Sequence, residues 1–130
     1  MENITENNKL IAEFMGFEKT KQGGLYISPD GFEWERFLDV ENYILPNQFL
    51  FHSSWDWLMK VVEKIENLQD ENSCAIYNVR IEQCFVEIII NHISETIVEV
   101  DSNSKIQAVY QACVEFIKWY NEQNKTNESL

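Results

Sequence analysis

The sequence predicts a single α+β domain in which three helices pack over a mostly antiparallel sheet of about four to five strands. Apolar residues recur with helical spacing in three separate segments, and the pattern changes to strict alternation after Ala75. The four glycines, at positions 16, 23, 24 and 31, do not supply the strand–glycine loop–helix fingerprint of a doubly wound nucleotide fold. The domain is expected to span residues 1–123, followed by a frayed polar tail at 124–130.

The first helix is expected to begin after Asn3 and to end near Met15. The Asn3 side chain can accept a hydrogen bond from the amides of the first turn, and Glu6 stands three residues further on, as in a capping box. Gly16 followed by Phe17 fits a left-handed helix end with an apolar residue folding back onto the helix.

Short strands are expected in the segment that follows. Leu25–Ile27 is a strand candidate, and residues 28–31 have Pro, Asp and Gly where a tight turn uses them, so residues 32–38 can return as the second strand of a hairpin. Residues 39–48 have no clear pattern. The sequence leaves open whether residues 28–51 form a hairpin or a mobile lid.

The second helix has the clearest start. Ser53 and Asp56 stand in capping-box spacing, and Ser54 is an adjacent alternative cap. Helical periodicity then predicts a core-facing stripe opposite a wet face. The stripe consists of Trp55, Leu58, Met59, Val62 and Ile65.

The second half of the chain predicts strands and then a helix. Alternation from Ala75 indicates a strand, and its change of phase at Glu82–Gln83 requires either a turn between two paired strands or a bulge in one long strand. Thr96–Val100 is a further strand candidate. Ser104 and Gln107 stand in capping-box spacing before a long apolar stripe, so the last helix should pack on the sheet.

The charge of the chain bears on its partners. It has 22 acidic against 10 basic residues and a net charge of −12, with the acids concentrated in residues 28–41 and 61–101. Nucleic acids and anionic membranes are not expected as partners, because both attract Lys and Arg. A protein with a basic surface is favoured instead, and simple solubility is the alternative explanation of the charge. No secretory signal or membrane span is expected, so the predicted localisation is cytoplasmic.

No metal, cofactor or catalytic site is predicted, and an enzymatic function is not favoured. The two histidines lie 40 residues apart without a metal-ligand pattern, and the three cysteines form no C-x-x-C pair and are interpreted as core residues. A nucleophilic pair, Cys84 with His92 or Cys74 with His52, stays open because catalytic partners meet in space rather than in sequence.

The densest unusual segment is 52–57, which places two tryptophans at a helix start. Trp57 lies about 200° around the helix from Trp55, so it either packs under the 32–51 connection or remains exposed as an interface anchor. The aromatic faces and helix-start amides there can hold a ligand, and Tyr26 and Trp34 belong either to the core or to its rim. The candidate binding residues are Tyr26, Trp34, His52, Ser53, Ser54, Trp55, Asp56 and Trp57.

Three segments, Asn8–Gly16, Ser54–Glu66 and Val114–Asn121, resemble small proteins of unknown function from Bacteroidetes and their phages. The resemblance implies a phage or mobile-element origin. It supplies no reaction, cofactor or catalytic residue that could be transferred to this chain.

Two functions fit these observations. The first is that of a non-catalytic acidic protein of phage or mobile-element type that binds a host protein, for example to inhibit a defence system. The second is that of a small-ligand protein that binds or sequesters a nucleotide signal, although few cations are available for its phosphates. Apolar faces on three helices also make a homodimer an option.

Overall fold

Three α-helices and six strands make up the computed structural model, which describes residues 3–20, 26, 27, 43–70, 72 and 74–128. The helices are α1 (Ile4–Phe14), α2 (Trp55–Asn67) and α3 (Lys105–Glu128). The strands are β1 (Glu18–Lys19), β2 (Tyr26–Ile27), β3 (Tyr43–Ile44), β4 (Tyr77–Glu82), β5 (Phe85–Ile90) and β6 (Glu95–Asp101), and Pro46–Gln48 forms a 3-10 turn. The fold is α+β, as predicted.

The strands form two antiparallel three-stranded sheets rather than one sheet of four to five strands. Their orders are β1-β2-β3 and β4-β5-β6. Strands β1, β2 and β3 have two residues each, which is too short to show an alternating pattern. The larger sheet, by contrast, comes from the segment whose alternation the sequence displays.

The change of phase at Glu82–Gln83 is a turn between two paired strands. Glu82 pairs with Phe85 across the hairpin, and Gln83 adopts a positive φ of 53°. A second turn connects β5 to β6, with Ser94 at φ 54°, and the β5–β6 register shifts between Ile88 and Ile89. The predicted strand at 96–100 is confirmed within β6.

The ends of α1 follow from local chemistry. Asn3 Oδ1 accepts a hydrogen bond from the backbone N–H of Glu6 at 3.1 Å, which confirms the predicted cap. Gly16 adopts φ 95°, and the backbone N–H of Phe17 donates to the carbonyl of Ala12 at 2.9 Å. Phe17 is buried beside the helix, so the chain reverses as predicted.

The described part of the core contains two aromatic clusters among its aliphatic side chains. The first joins α1, β4 and α3 and consists of Phe14, Tyr77, Phe116, Trp119 and Tyr120. The second links the small sheet to the start of α2 and consists of Phe17, Tyr26, Phe49, Phe51 and Trp57. The long helix α3 packs on β5, β6, α1 and α2, so its buried face connects these parts of the core.

Helix α3 continues to Glu128, past residue 123, where the domain was expected to end. The division of the chain into a domain and a tail stays a prediction. The turn at 28–31 and the return strand at 32–38 lie outside the described residues. Within the part of the chain that the structure describes, no helix is long and apolar enough to cross a membrane.

Candidate functional site

The predicted site residues do not form one surface. Ser53, Trp55 and Asp56 are exposed, His52 and Ser54 are half-buried, and Tyr26 and Trp57 are buried. Trp34 lies outside the described residues. Residues of the segment 52–57 therefore belong to three different places: the core, the wall of a cavity described below, and an exposed helix face.

Helix α2 is rotated relative to the predicted stripe. Of the two caps that the sequence offers, Ser54 is the one observed, and its Oγ accepts a hydrogen bond from the backbone N–H of Trp57 at 3.5 Å. Trp55 and Met59, predicted to face the core, are 41% and 37% exposed. The residues of α2 that are buried are Trp57, Leu58, Val61, Val62 and Ile65.

The ring of Phe51 accounts for this rotation. It meets the Trp57 ring edge-on at a centroid distance of 5.0 Å, so Trp57 is buried against the last residue of the 32–51 connection and is not an exposed anchor. With Trp57 inside, Trp55 is carried about 200° away around the helix and into solvent.

The exposed side of α2 combines apolar and acidic side chains. Trp55 and Met59 are one turn apart and therefore neighbours on the helix surface. Asp56 and Glu63 are exposed and Glu66 is half-buried. The α2 face is defined here as Trp55, Asp56, Met59, Glu63 and Glu66.

One cation of α2 is directed to the neighbouring helix. The Lys64 ammonium donates to the backbone carbonyl of Phe14 and lies 5.0 Å from the centroid of the Phe14 ring. The Lys64 charge therefore interacts with the end of α1 and does not neutralise the carboxylates of the α2 face.

A buried polar network forms on the other side of His52. Asn8, 2% exposed, accepts a hydrogen bond at Oδ1 from the Tyr110 hydroxyl at 2.9 Å. Its Nδ2 donates to the carbonyl of Phe49 at 3.4 Å and lies 3.0 Å from His52 Nδ1. Because an amide nitrogen only donates, His52 Nδ1 accepts, and the neutral ring carries its proton on Nε2.

The same network bears on the charge of His52. Burial lowers the pKa of the imidazole below its usual value of 6.5. Protonation of Nδ1 would also place its N–H opposite the N–H of Asn8 Nδ2, and two donors cannot form a hydrogen bond with each other. His52 is therefore neutral at pH 7 and presents an Nε2–H donor.

A cavity of about 380 Å³ opens beside this network. The His52 cavity is lined by Ile4, His52, Ser102, Gln107, Tyr110 and Gln111. Ser102 Oγ donates to Gln107 Oε1 at 3.4 Å, and the rings of His52 and Tyr110 lie 6.2 Å apart at 67°. Among the described residues, neither the Gln111 carboxamide nor His52 Nε2 has a hydrogen-bond partner.

Of the residues lining the His52 cavity, sequence reasoning identified only His52 as a candidate. Gln107, Tyr110 and Gln111 share one face of α3 by their spacing, but the contacts that bring this face to α1 and to the segment before α2 are not visible in any local spacing. One signal was available: Asn8 stands three and four residues before the buried Ile11 and Ala12, so a polar side chain lies on the buried face of α1. Such a residue requires hydrogen-bond partners in the core.

The prediction that all three cysteines are core residues is wrong. Cys113 is buried, which raises the pKa of its thiol to about 12, whereas Cys84 is half-buried and Cys74 is exposed in the connection before β4. In the described ranges, neither Cys84 with His92 nor Cys74 with His52 forms a hydrogen bond. No group of His, Cys, Asp and Glu side chains suited to a metal ion occurs among those residues either.

Comparison with known proteins identifies no relative: no family model, no curated protein and no solved structure matches the chain.

Proposed function

We propose that this chain is a non-catalytic binding protein whose α2 face contacts a basic surface on a partner protein. The observation that supports this function is the exposure of Trp55 and Met59 beside three carboxylates on one side of α2.

The apolar pair would anchor such a contact. Tryptophan is enriched among the few interface residues that contribute most of a binding energy, and methionine adapts its shape to a partner. Trp55 and Met59 lie one helical turn apart, so a single shallow pocket on the partner can cover both. Burying them would remove from water the largest apolar side chains that α2 exposes.

The surrounding charge selects the partner. Asp56, Glu63 and Glu66 border the apolar pair, and the whole chain has a net charge of −12. A partner with Lys and Arg around an apolar pocket would be steered toward this face, while an acidic surface would be repelled.

The larger sheet contributes to the same acidic field. Arg80 Nη1 lies 2.9 Å from Glu87 Oε1, so its charge is compensated within the sheet. Glu82, Glu99 and Asp101 on the same sheet are exposed. The negative potential is therefore not confined to α2 and would act on the partner before contact.

The origin implied by the sequence resemblance gives this proposal a context. A protein of phage or mobile-element type in the host cytoplasm would bind a host protein, for which a component of a defence system is the proposed example. A nucleotide-signal binding protein has less support, because no Lys or Arg is among the described residues that line the His52 cavity.

The test compares matched variants for capture from host lysate, followed by affinity measurement with the purified partner. Trp55→Ala should weaken binding by about 30-fold, the effect of losing about 2 kcal/mol at a central interface residue. Ile93→Ala is the control, because Ile93 is another exposed apolar side chain, in the β5–β6 turn. Equal affinities of the wild type and Trp55→Ala would exclude the α2 face.

A second comparison separates local from global charge. A triple variant with Asp56→Asn, Glu63→Gln and Glu66→Gln should associate more slowly with the partner and lose much of the salt dependence. Its control has Glu95→Gln, Glu99→Gln and Asp101→Asn, which change the net charge by the same amount in β6. Equal effects of the two triple variants would contradict a localised contact. Sedimentation data showing that only a second copy of the chain binds would contradict a separate partner protein.

A further inference from the structure

We propose that the His52 cavity binds an uncharged, planar molecule with an amide-like hydrogen-bonding edge, of the class of a nucleobase or nucleoside. This site is independent of the α2 face and goes beyond the protein-binding function.

The charge of the lining selects an uncharged ligand. None of the six lining residues carries a charge at neutral pH, since His52 is held neutral by its surroundings. A phosphate or carboxylate would find no cation among the described lining residues and would be repelled by the net charge of −12. A cationic ligand would find no carboxylate within the lining to pair with.

The polar groups of the cavity match the edge of a heterocycle. His52 carries its proton on Nε2 because Asn8 occupies its Nδ1, so the ring that lines the cavity offers a donor. The Gln111 carboxamide offers both a donor and an acceptor. Ser102 Oγ donates only to the carbonyl oxygen of the Gln107 carboxamide, so the side-chain N–H groups of Gln107 remain for a ligand. Carboxamides form paired hydrogen bonds with such edges, as Asn and Gln do with adenine.

The size and walls of the cavity set the shape of the ligand. A volume of about 380 Å³ lies at the lower end of the range for small-molecule sites, which suits one base or nucleoside rather than a dinucleotide. The rings of His52 and Tyr110, with the side chain of Ile4, provide aromatic and apolar surface for a planar ring to pack against.

The experiment titrates the full chain with adenosine, cytidine and uridine, and separately with their 5′-monophosphates, and follows backbone amide signals by NMR. At least one nucleoside should shift the amide signals of Ser102, Gln107 and Gln111 in a saturable way. Its monophosphate should bind more weakly. The absence of saturable shifts with all three nucleosides would overturn the proposal, and so would a monophosphate that binds as tightly as its nucleoside.

Variants on α3 test the assigned contact. Gln111→Ala should weaken binding of the nucleoside by about 2- to 10-fold, as expected for one hydrogen bond. Gln123→Ala is the matched control, because Gln123 is exposed on the same helix and does not line the cavity. Unchanged affinity in Gln111→Ala, or an equal loss in Gln123→Ala, would overturn the assignment. The comparison of nucleoside with monophosphate uses the wild type and therefore does not depend on the folding of either variant.

Discussion

Asn8 connects three parts of the molecule. Its buried amide uses its oxygen for Tyr110 of α3 and its nitrogen for Phe49 and His52, both in the segment before α2. A buried amide without partners would cost several kcal/mol, so these contacts fix where α1 and α3 lie relative to the start of α2.

Tyr110→Phe tests this network at its shortest hydrogen bond. Removing the hydroxyl leaves Asn8 Oδ1 without the donor at 2.9 Å and should lower the free energy of unfolding by about 1–3 kcal/mol. Urea denaturation measures the change. Tyr120→Phe is the control, since its hydroxyl makes no hydrogen bond among the described residues, and a similar loss in both variants would contradict a specific role of Asn8.

Single residues with local roles could be predicted from the sequence, and residues with distant partners could not. The Asn3 cap depends only on an amide three positions away, so its spacing identifies it. Trp55 was misplaced because seven apolar residues occupy more than half the circumference of α2, and periodicity alone does not decide which end of that arc is buried. The contact between Phe51 and Trp57 decides it.

At the scale of elements, the end of α1 shows how local chemistry positions a long-range contact. Gly16 takes a left-handed conformation, and the hydrogen bond from Phe17 to Ala12 closes the helix end. Phe17 then reaches the rings of Phe49 and Phe51 at 5.5 and 6.1 Å. The helix end therefore places an anchor for the second aromatic cluster.

Gly16→Ala should lower the free energy of unfolding by about 1–2 kcal/mol, because a Cβ is disfavoured at a φ of 95°. Gly16→Asn should lose less, since Asn tolerates the left-handed region better than Ala. Thermal unfolding of the two variants measures the difference. An alanine variant as stable as the wild type would show that the left-handed turn is not required.

Elements were predictable where they are long enough to repeat a pattern. The β4–β5 hairpin was predicted, as one of two alternatives, from a change of phase over consecutive alternating residues. The small sheet has strands of two residues, and its pairs join Tyr26 to Lys19 and to Ile44, partners that tertiary contacts select.

For the whole molecule, the protonation of His52 contributes to how stability responds to pH. At pH 7 the chain has 12 more negative than positive charges, and His52 is held neutral. Because the pKa of His52 is lowered in the folded chain, the unfolded chain takes up a proton near pH 6.5, whereas the folded chain takes it up only at lower pH. The stabilisation from neutral His52 is therefore complete above about pH 6.5 and is lost as pH falls through the lowered folded value.

His52→Gln should consequently show a smaller loss of unfolding free energy between pH 7 and pH 5 than the wild type. Denaturant melts at a series of pH values measure this slope. His92→Gln provides the control, because it is the same substitution at an exposed histidine in the β5–β6 turn. An identical pH dependence in His52→Gln and the wild type would contradict the assignment.

The general character of the molecule could be read from its sequence more readily than its candidate site. Acidity and the α+β class follow from composition and periodicity, which are properties of the whole chain. The His52 cavity depends on Asn8 meeting a residue 102 positions away, and the α2 face depends on which side of one helix packs inward. Both are decided by tertiary packing.

The position of β6 has a consequence for aggregation. Among the described strands, β6 pairs only with β5, so no described strand pairs with its other side. If β6 of a second copy paired with it antiparallel about Val98, Glu95 of each copy would stand opposite Asp101 of the other. Like charges directly opposite each other destabilise strand pairing. The acidic ends of this strand therefore disfavour this antiparallel pairing of two copies through β6.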